Sequence, residues 1–255
     1  MKAKLGIAFY IIIVLFLPSI QAAELPDVID GLRPSVVGVG IARPTRNSKK
    51  TTADFRGTGF VVGNGRQVIT NYHVLPEKLD REAKEGLAIF VGRGKAGKVM
   101  AVKVLRKDRN HDLALLEIIG GSLPAMRLGD SAFVREGSDI AFTGFPIGVV
   151  LGLFPVTHEG IISAITPIAI PAMSSRTITA AQMKRLRQPF DVYQLDATAY
   201  PGNSGSPVYN PHSGEVIGVL NSVFVKGSKE TVLQQPSGIS YAIPVRYVHD
   251  LLKAR

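Results

Sequence analysis

Three side chains in this chain could together carry out nucleophilic acyl transfer. His73 lies in Ile69-Thr70-Asn71-Tyr72-His73-Val74, where a strand pattern ends in a histidine. Asp112 lies in Asn110-His111-Asp112-Leu113-Ala114-Leu115-Leu116, an acid entering an apolar run. Ser204 lies in Gly202-Asn203-Ser204-Gly205-Ser206-Pro207-Val208, a Gly-rich turn ahead of a strand. A serine hydroxyl is a weak nucleophile until a base takes its proton. An imidazole suits that task because it titrates near neutral pH. An Asp that accepts the other ring N–H fixes the tautomer and stabilises the imidazolium that forms. The glycines around Ser204 let backbone approach a carbonyl closely. The backbone N–H groups of Gly202, Asn203 and Ser204 are candidate donors to an oxyanion, one such donor being worth roughly 3 kcal/mol in the transition state. Each segment alone is a weak signal, since a His at a strand end is usually structural and Gly-Asn-Ser-Gly is usually a turn. The three in the order His, Asp, Ser are specific.

Such a constellation needs rigid elements to hold it, and the sequence reads as β-rich. Short runs heavy in Val, Ile, Phe and Thr alternate with Gly, Pro, Asn and Asp. Strands are expected at Val36–Ala42, Gly59–Val62, Gln67–Thr70, Leu87–Val91, Val99–Leu105, Leu113–Ile118, Ile140–Thr143, Gly160–Ile165, Val192–Asp196, Pro207–Tyr209, Val216–Ser222 and Ile239–Ile243. Their close spacing points to an all-β barrel or sandwich rather than an alternating α/β sheet. Short helices are expected at Leu25–Leu32 and Val245–Lys253; the second places Val245, Val248, Leu251 and Leu252 on one face. The segment Thr166–Pro189 breaks the β pattern, and its second half could form a helix over Thr179–Gln188.

Bulk properties narrow the function classes. Lys2 and Lys4 precede an apolar run from Leu5 to Leu17, which Pro18 and small residues end. That order describes a secretory signal peptide over residues 1–22. The run is short of the roughly 20 residues that span a bilayer, so no stable membrane insertion is expected after its removal. The chain has no cysteine, which excludes thiol catalysis and a Cys-ligated metal. No metal site or cofactor is expected, because His158, His212 and His249 lack ligand spacing with acids. The net charge is +10, with basic residues grouped over Arg43–Arg56 and Lys184–Arg187. No zinc-finger spacing or RNA-binding aromatic motif accompanies them. They read as a solvated surface, and no nucleic-acid partner is expected.

With these motifs the sequence resembles the trypsin-like peptidases, and within them the HtrA/Deg group. The resemblance runs from about Leu32 to Ala254. It includes Arg33-Pro34-Ser35-Val36-Val37, Gly57-Thr58-Gly59-Phe60-Val61, Gly144-Phe145-Pro146, Gly160-Ile161-Ile162-Ser163, Gln194-Leu195-Asp196-Ala197, Gly214-Glu215-Val216-Ile217-Gly218-Val219 and Gly238-Ile239-Ser240-Tyr241-Ala242-Ile243-Pro244. It implies two chymotrypsin-like six-stranded β-barrels, over residues 23–135 and 136–244, and a C-terminal helix over 245–255. It implies cofactor-independent hydrolysis of polypeptide substrates through an acyl-enzyme, with His73, Asp112 and Ser204 as the triad.

The resemblance also implies specificity. Thr198, six residues before Ser204, is expected at the base of the pocket for the substrate side chain N-terminal to the cut. Thr198 offers no charge to a Lys or Arg. Asn221 is expected where glutamyl endopeptidases carry a selecting His. A preference for small or medium apolar residues follows. Substrate backbone is expected to add as a strand beside Leu220, Asn221, Ser222 and Val223. Asn203 cannot pair with a new N-terminus as an Asp would, so control is expected from the Ser163–Tyr193 region. The family's PDZ domains have no counterpart before Arg255, and a homo-oligomer is possible. The competing expectation is a resting or silent fold that binds proteins or anionic surfaces.

Overall fold

The computed structural model describes residues 24–44, 51–94, 97–146, 153–167, 189–221 and 239–254. The signal segment 1–22, the helix expected at Thr179–Gln188, most of the two basic runs, Ser222 and Val223 lie outside the described residues. Each strand expected from the sequence is present. The first six are β1 (Val36–Pro44), β2 (Thr51–Val62), β3 (Gln67–Asn71), β4 (Gly86–Val91), β5 (Lys98–Asp108) and β6 (Leu113–Ile118). They close a barrel in the order β1-β2-β3-β6-β5-β4. The next six are β7 (Asp139–Gly144), β8 (Val156–Pro167), β9 (Asp191–Asp196), β10 (Pro207–Tyr209), β11 (Val216–Asn221) and β12 (Ile239–Pro244). These close a second barrel in the order β10-β11-β12-β9-β8-β7.

The strand sequences are apolar on both faces for a reason. Successive side chains on a strand point to opposite sides. Val61, Val68, Ala114 and Leu116 turn into the first barrel. Their neighbours Phe60, Val62, Ile69, Leu113 and Leu115 turn outward into a cluster shared with Ala141, Tyr209, Val219 and Ile243 of the second barrel. That shared cluster joins the barrels, and each fully buried Leu, Ile or Phe in it contributes about 1.5–3 kcal/mol.

The two helices close the ends of this cluster. α1 (Leu25–Leu32) starts with Pro26 in its first turn, where a missing N–H costs nothing. α2 (Val245–Lys253) buries Val245, Val248 and Leu251, the face expected from the 3.6-residue period. Arg106 on β5 reaches the C-terminal carbonyls of Leu251 and Leu252 at 3.5 and 3.2 Å. A cation there satisfies carbonyls that have no partner within the helix. No helix among the described residues is long and apolar enough to cross a membrane.

Two strands run longer than expected. β2 begins at Thr51, well ahead of Gly59, because Thr51–Phe55 pairs with Gly40–Pro44 of β1. β8 extends from Val156 to Pro167 through pairing with β7 and β9. In both cases tertiary pairing overrides weak local patterning.

Candidate active site

The first barrel supplies the base. β3 ends at Asn71, and the chain tightens into a 3-10 turn over Tyr72–Val74 that carries His73. The histidine therefore follows the strand rather than ending it. Asp112 stands just ahead of β6 with φ of +53°, a left-handed backbone that Asp tolerates better than most residues. The Asp108 carboxylate shapes the turn before it, accepting the N–H groups of Asn110 and His111 at 3.0 and 3.1 Å.

Asp112 is then held from every side. Its C=O accepts the Tyr72 N–H at 2.9 Å and the Asn71 side-chain amide at 3.0 Å. Oδ1 accepts the His73 backbone N–H at 3.0 Å. Oδ2 lies 2.7 Å from His73 Nδ1 and accepts the Asn221 side-chain amide at 2.8 Å. A carboxylate only accepts hydrogen bonds, so Nδ1 carries the ring proton and Nε2 keeps a lone pair. The Asp112 side chain is 7% exposed and that of His73 31%. One end of the ring is thus sealed while the other stays reachable.

The second barrel supplies the hydroxyl. Gly202 and Gly205 have φ of +100° and +88°, and they bend the chain so that Ser204 faces the first barrel. The Thr58 N–H donates to the Ser204 C=O at 2.8 Å, and Thr58 Oγ1 donates to the Gly202 C=O at 2.8 Å. Thr58 Oγ1 also accepts the Phe145 N–H at 3.0 Å, and Thr70 Oγ1 donates to the Thr58 C=O at 2.6 Å. Two glycines make this approach possible. A Cβ on Gly205 would collide with the Thr58 carbonyl, and one on Gly57 would lie 2.6 Å from Val74 Cγ2 and 2.9 Å from the Ser204 oxygen.

Three expectations change here. The Asn203 N–H donates to the Tyr200 C=O at 3.0 Å, so it is engaged within the turn. Gly202 and Ser204 are left as the oxyanion candidates. The Asn221 side chain turns to Asp112 and is buried, so it cannot line a substrate pocket as a glutamyl selector would. The backbone of Leu220 is spent on the catalytic turn: it accepts the Gly205 N–H and donates to the Ser206 C=O, both at 2.9 Å. Any strand edge open to substrate starts beyond Leu220. Thr198 is half-buried between the buried Ala197 and Ala199.

Other residues at the site were not singled out from the sequence. Thr58, Thr70 and Asn71 tie the barrels together, and small polar residues inside apolar strands are the signal that marks them. Ser240 is buried and donates to the Ala197 C=O at 2.6 Å, fixing the chain just before Thr198. His111 pairs with Asp108 at 2.6 Å and stacks on Tyr247 with ring centroids 4.2 Å apart. Phe190 meets both rings edge-on. Burial would raise the Asp108 carboxyl, but the hydrogen bonds and charge of His111 outweigh it and hold it below the usual range.

Two barrels, a buried His–Asp pair and a Gly-bounded serine turn meet here. The profile of the trypsin-like peptidase domain matches residues 57–219, which takes in all three. The chain belongs to the trypsin-like peptidase family. Among its relatives, a "Probable periplasmic serine endoprotease DegP-like" of Pseudomonas fluorescens is 28% identical over 91% of this chain and 42% of its own length. The "Serine protease HTRA1A" of Danio rerio is 28% identical over 89% and 40%. The "Serine protease HTRA2, mitochondrial" of Drosophila willistoni is 32% identical over 90% and 46%. The chain therefore spans less than half the length of these curated relatives. As a trypsin-like peptidase domain of HtrA type, it has the double-barrel architecture that the resemblance implied.

Proposed function

We propose that this chain is an exported serine endopeptidase that cuts polypeptides through an acyl-enzyme, in the quality control of envelope proteins. The observation that carries the reading is the 2.7 Å contact between His73 Nδ1 and Asp112 Oδ2 beside a Gly-bounded Ser204. In this reading His73 Nε2 takes the Ser204 hydroxyl proton as Oγ attacks the scissile carbonyl. The resulting oxyanion is received by the N–H groups of Gly202 and Ser204. The imidazolium gives its proton to the leaving amine, the C–N bond breaks, and an ester to Ser204 remains. Water, deprotonated by the same nitrogen, hydrolyses that ester and restores the hydroxyl. Asp112 keeps the ring in the working tautomer throughout. Export is supported by the signal-peptide pattern of residues 1–22 and by the periplasmic DegP-like relatives.

A serine-directed fluorophosphonate probe tests the nucleophile. Wild-type protein should be labelled and should degrade casein, and Ser204→Ala and His73→Ala should do neither. A folded wild type that is never labelled would replace this reading with that of a silent binding fold.

A further inference from the structure

A histidine beside the catalytic turn keeps one nitrogen unmatched. His158 on β8 is half-buried, and its Nε2 is sealed from solvent without a hydrogen-bond partner among the described residues. Leaving a buried polar atom unpaired costs about 1–3 kcal/mol. Such atoms in a folded protein call for an explanation. The ring lies nearly flat on Phe142, centroids 4.9 Å apart at 22°, and lies 5.9 Å from the Tyr200 ring. Burial pushes the pKa of His158 down, which favours the neutral ring.

Sheet register places this ring. β8 pairs with β9 through Ile161 and Asp196. Gly160 packs so tightly against Asp196 and the Ala197 methyl that a side chain there would not fit. The strands are antiparallel, so β8 runs back from 160 to 158 as the other chain runs on from 197 to 199. That stretch contains Thr198. Ala199, Phe142 and Leu220 share one buried apolar cluster. Tyr200 accepts the Asn203 N–H next to Ser204. His158 thus borders the segment that joins β9 to the serine turn.

We propose that His158 is a specificity-determining residue. Its ring, beside Thr198, selects substrates whose side chain N-terminal to the cut carries an uncharged hydrogen-bonding group, an amide or a hydroxyl. This rests on reading Ser204 as the nucleophile and Thr198 as the pocket base. It sharpens the apolar preference expected from Thr198 alone. Ala199, Leu220 and Phe142 receive the aliphatic part of the side chain, and the imidazole receives its tip. A neutral imidazole nitrogen donates in one tautomer and accepts in the other, so it serves an amide or a hydroxyl. It gives no ion pair to Glu, Lys or Arg. A site built to bond a polar group also rejects the analogue that lacks it, because the site's own polar atom stays unpaired.

The test profiles cleavage of a peptide library by wild type, His158→Leu and His158→Gln, with fluorophosphonate labelling run on each. Wild type should favour Gln, Asn, Thr or Ser before the cut by about tenfold or more over apolar residues of similar size. His158→Leu should lose that preference and cut after Leu or Met at least as well as wild type, while labelling stays unchanged. His158→Gln should keep part of the polar preference. A wild-type profile that is apolar, or one that His158→Leu leaves unchanged, overturns the proposal and makes His158 a core residue. Loss of labelling in wild type instead overturns the nucleophile on which it rests. If His158→Leu fails to fold, the wild-type and His158→Gln profiles still decide.

Discussion

The two barrels meet the site in opposite states of saturation. On the first, Asp112 spends both carboxylate oxygens and its carbonyl on five N–H contacts around His73. Only Asn71 Oδ1 is left without a partner on that side. On the second, the side-chain amide of Asn203, Ser206 Oγ and His158 Nε2 are all buried with no partner among the described residues. The first barrel presents a base already oriented. The second presents a nucleophile turn whose bends come from glycines and whose flanking polar atoms still have bonding capacity to give. Orientation is thus complete on one side before any substrate arrives, while the other side can still adapt to what binds.

The sharpest way to break this comparison is to scramble the saturated side. Asp112→Asn keeps the shape but puts an amide opposite Nδ1, which favours the tautomer with its proton on Nε2. Activity should fall about ten-thousand-fold, the size of the wrong-tautomer effect in Ser-His-Asp triads. Peptide hydrolysis and circular dichroism together check this. A variant that retains more than a tenth of wild-type activity would remove Asp112 from the proposed mechanism.

Next in size is Gly205→Ala on the glycine-dependent side. A residue with a side chain at φ of +88°, aimed into the Thr58 carbonyl, must push the barrels apart locally. The expected cost is about 3 kcal/mol or more, read from urea unfolding, together with loss of fluorophosphonate labelling. Unchanged stability would mean that the Thr58 contact is not a fixed feature.

Asn221→Ala probes the link between the sides. It removes one donor from Asp112 Oδ2, and the group left buried should cost about 1–3 kcal/mol of stability. Hydrolysis should slow about ten- to a hundredfold through kcat, with KM little changed, because the amide orients the acid rather than touching substrate. A rise in KM alone would return Asn221 to the substrate pocket.

These residues also mark where the sequence became unreadable. The barrels were legible because their strands alternate between interior and interface, as Phe60, Val61 and Val62 do. The types and order of His73, Asp112 and Ser204 were legible because the chemistry demands them. The first half of β2 was hidden in a basic stretch, since its strand character comes from pairing with β1. Asn221 was misread because its partner lies 109 residues away, and strand position alone does not tell which of two neighbours it faces. The engaged N–H of Asn203 and the spent backbone of Leu220 depend on the closed turn, which no local pattern encodes.

The smallest effect sharpens the comparison at its outer edge, where Asp108 and His111 brace the turn that delivers Asp112. Asp108→Asn weakens a charge-assisted contact that is partly solvent-exposed, so about 0.5–1 kcal/mol is expected at neutral pH. The sign of its pH dependence follows from the depressed carboxyl. A folded pKa below the unfolded value stabilises above the unfolded value of about 4, and that contribution is lost as pH falls through the folded one. The stability gap between wild type and Asp108→Asn should therefore be flat from pH 7 to about 5 and narrow below about pH 4. Urea midpoints across that range measure it. A gap that widens on acidification would mean that His111 holds its place by stacking on Tyr247 alone, and that the bracing of the triad turn is aromatic rather than ionic.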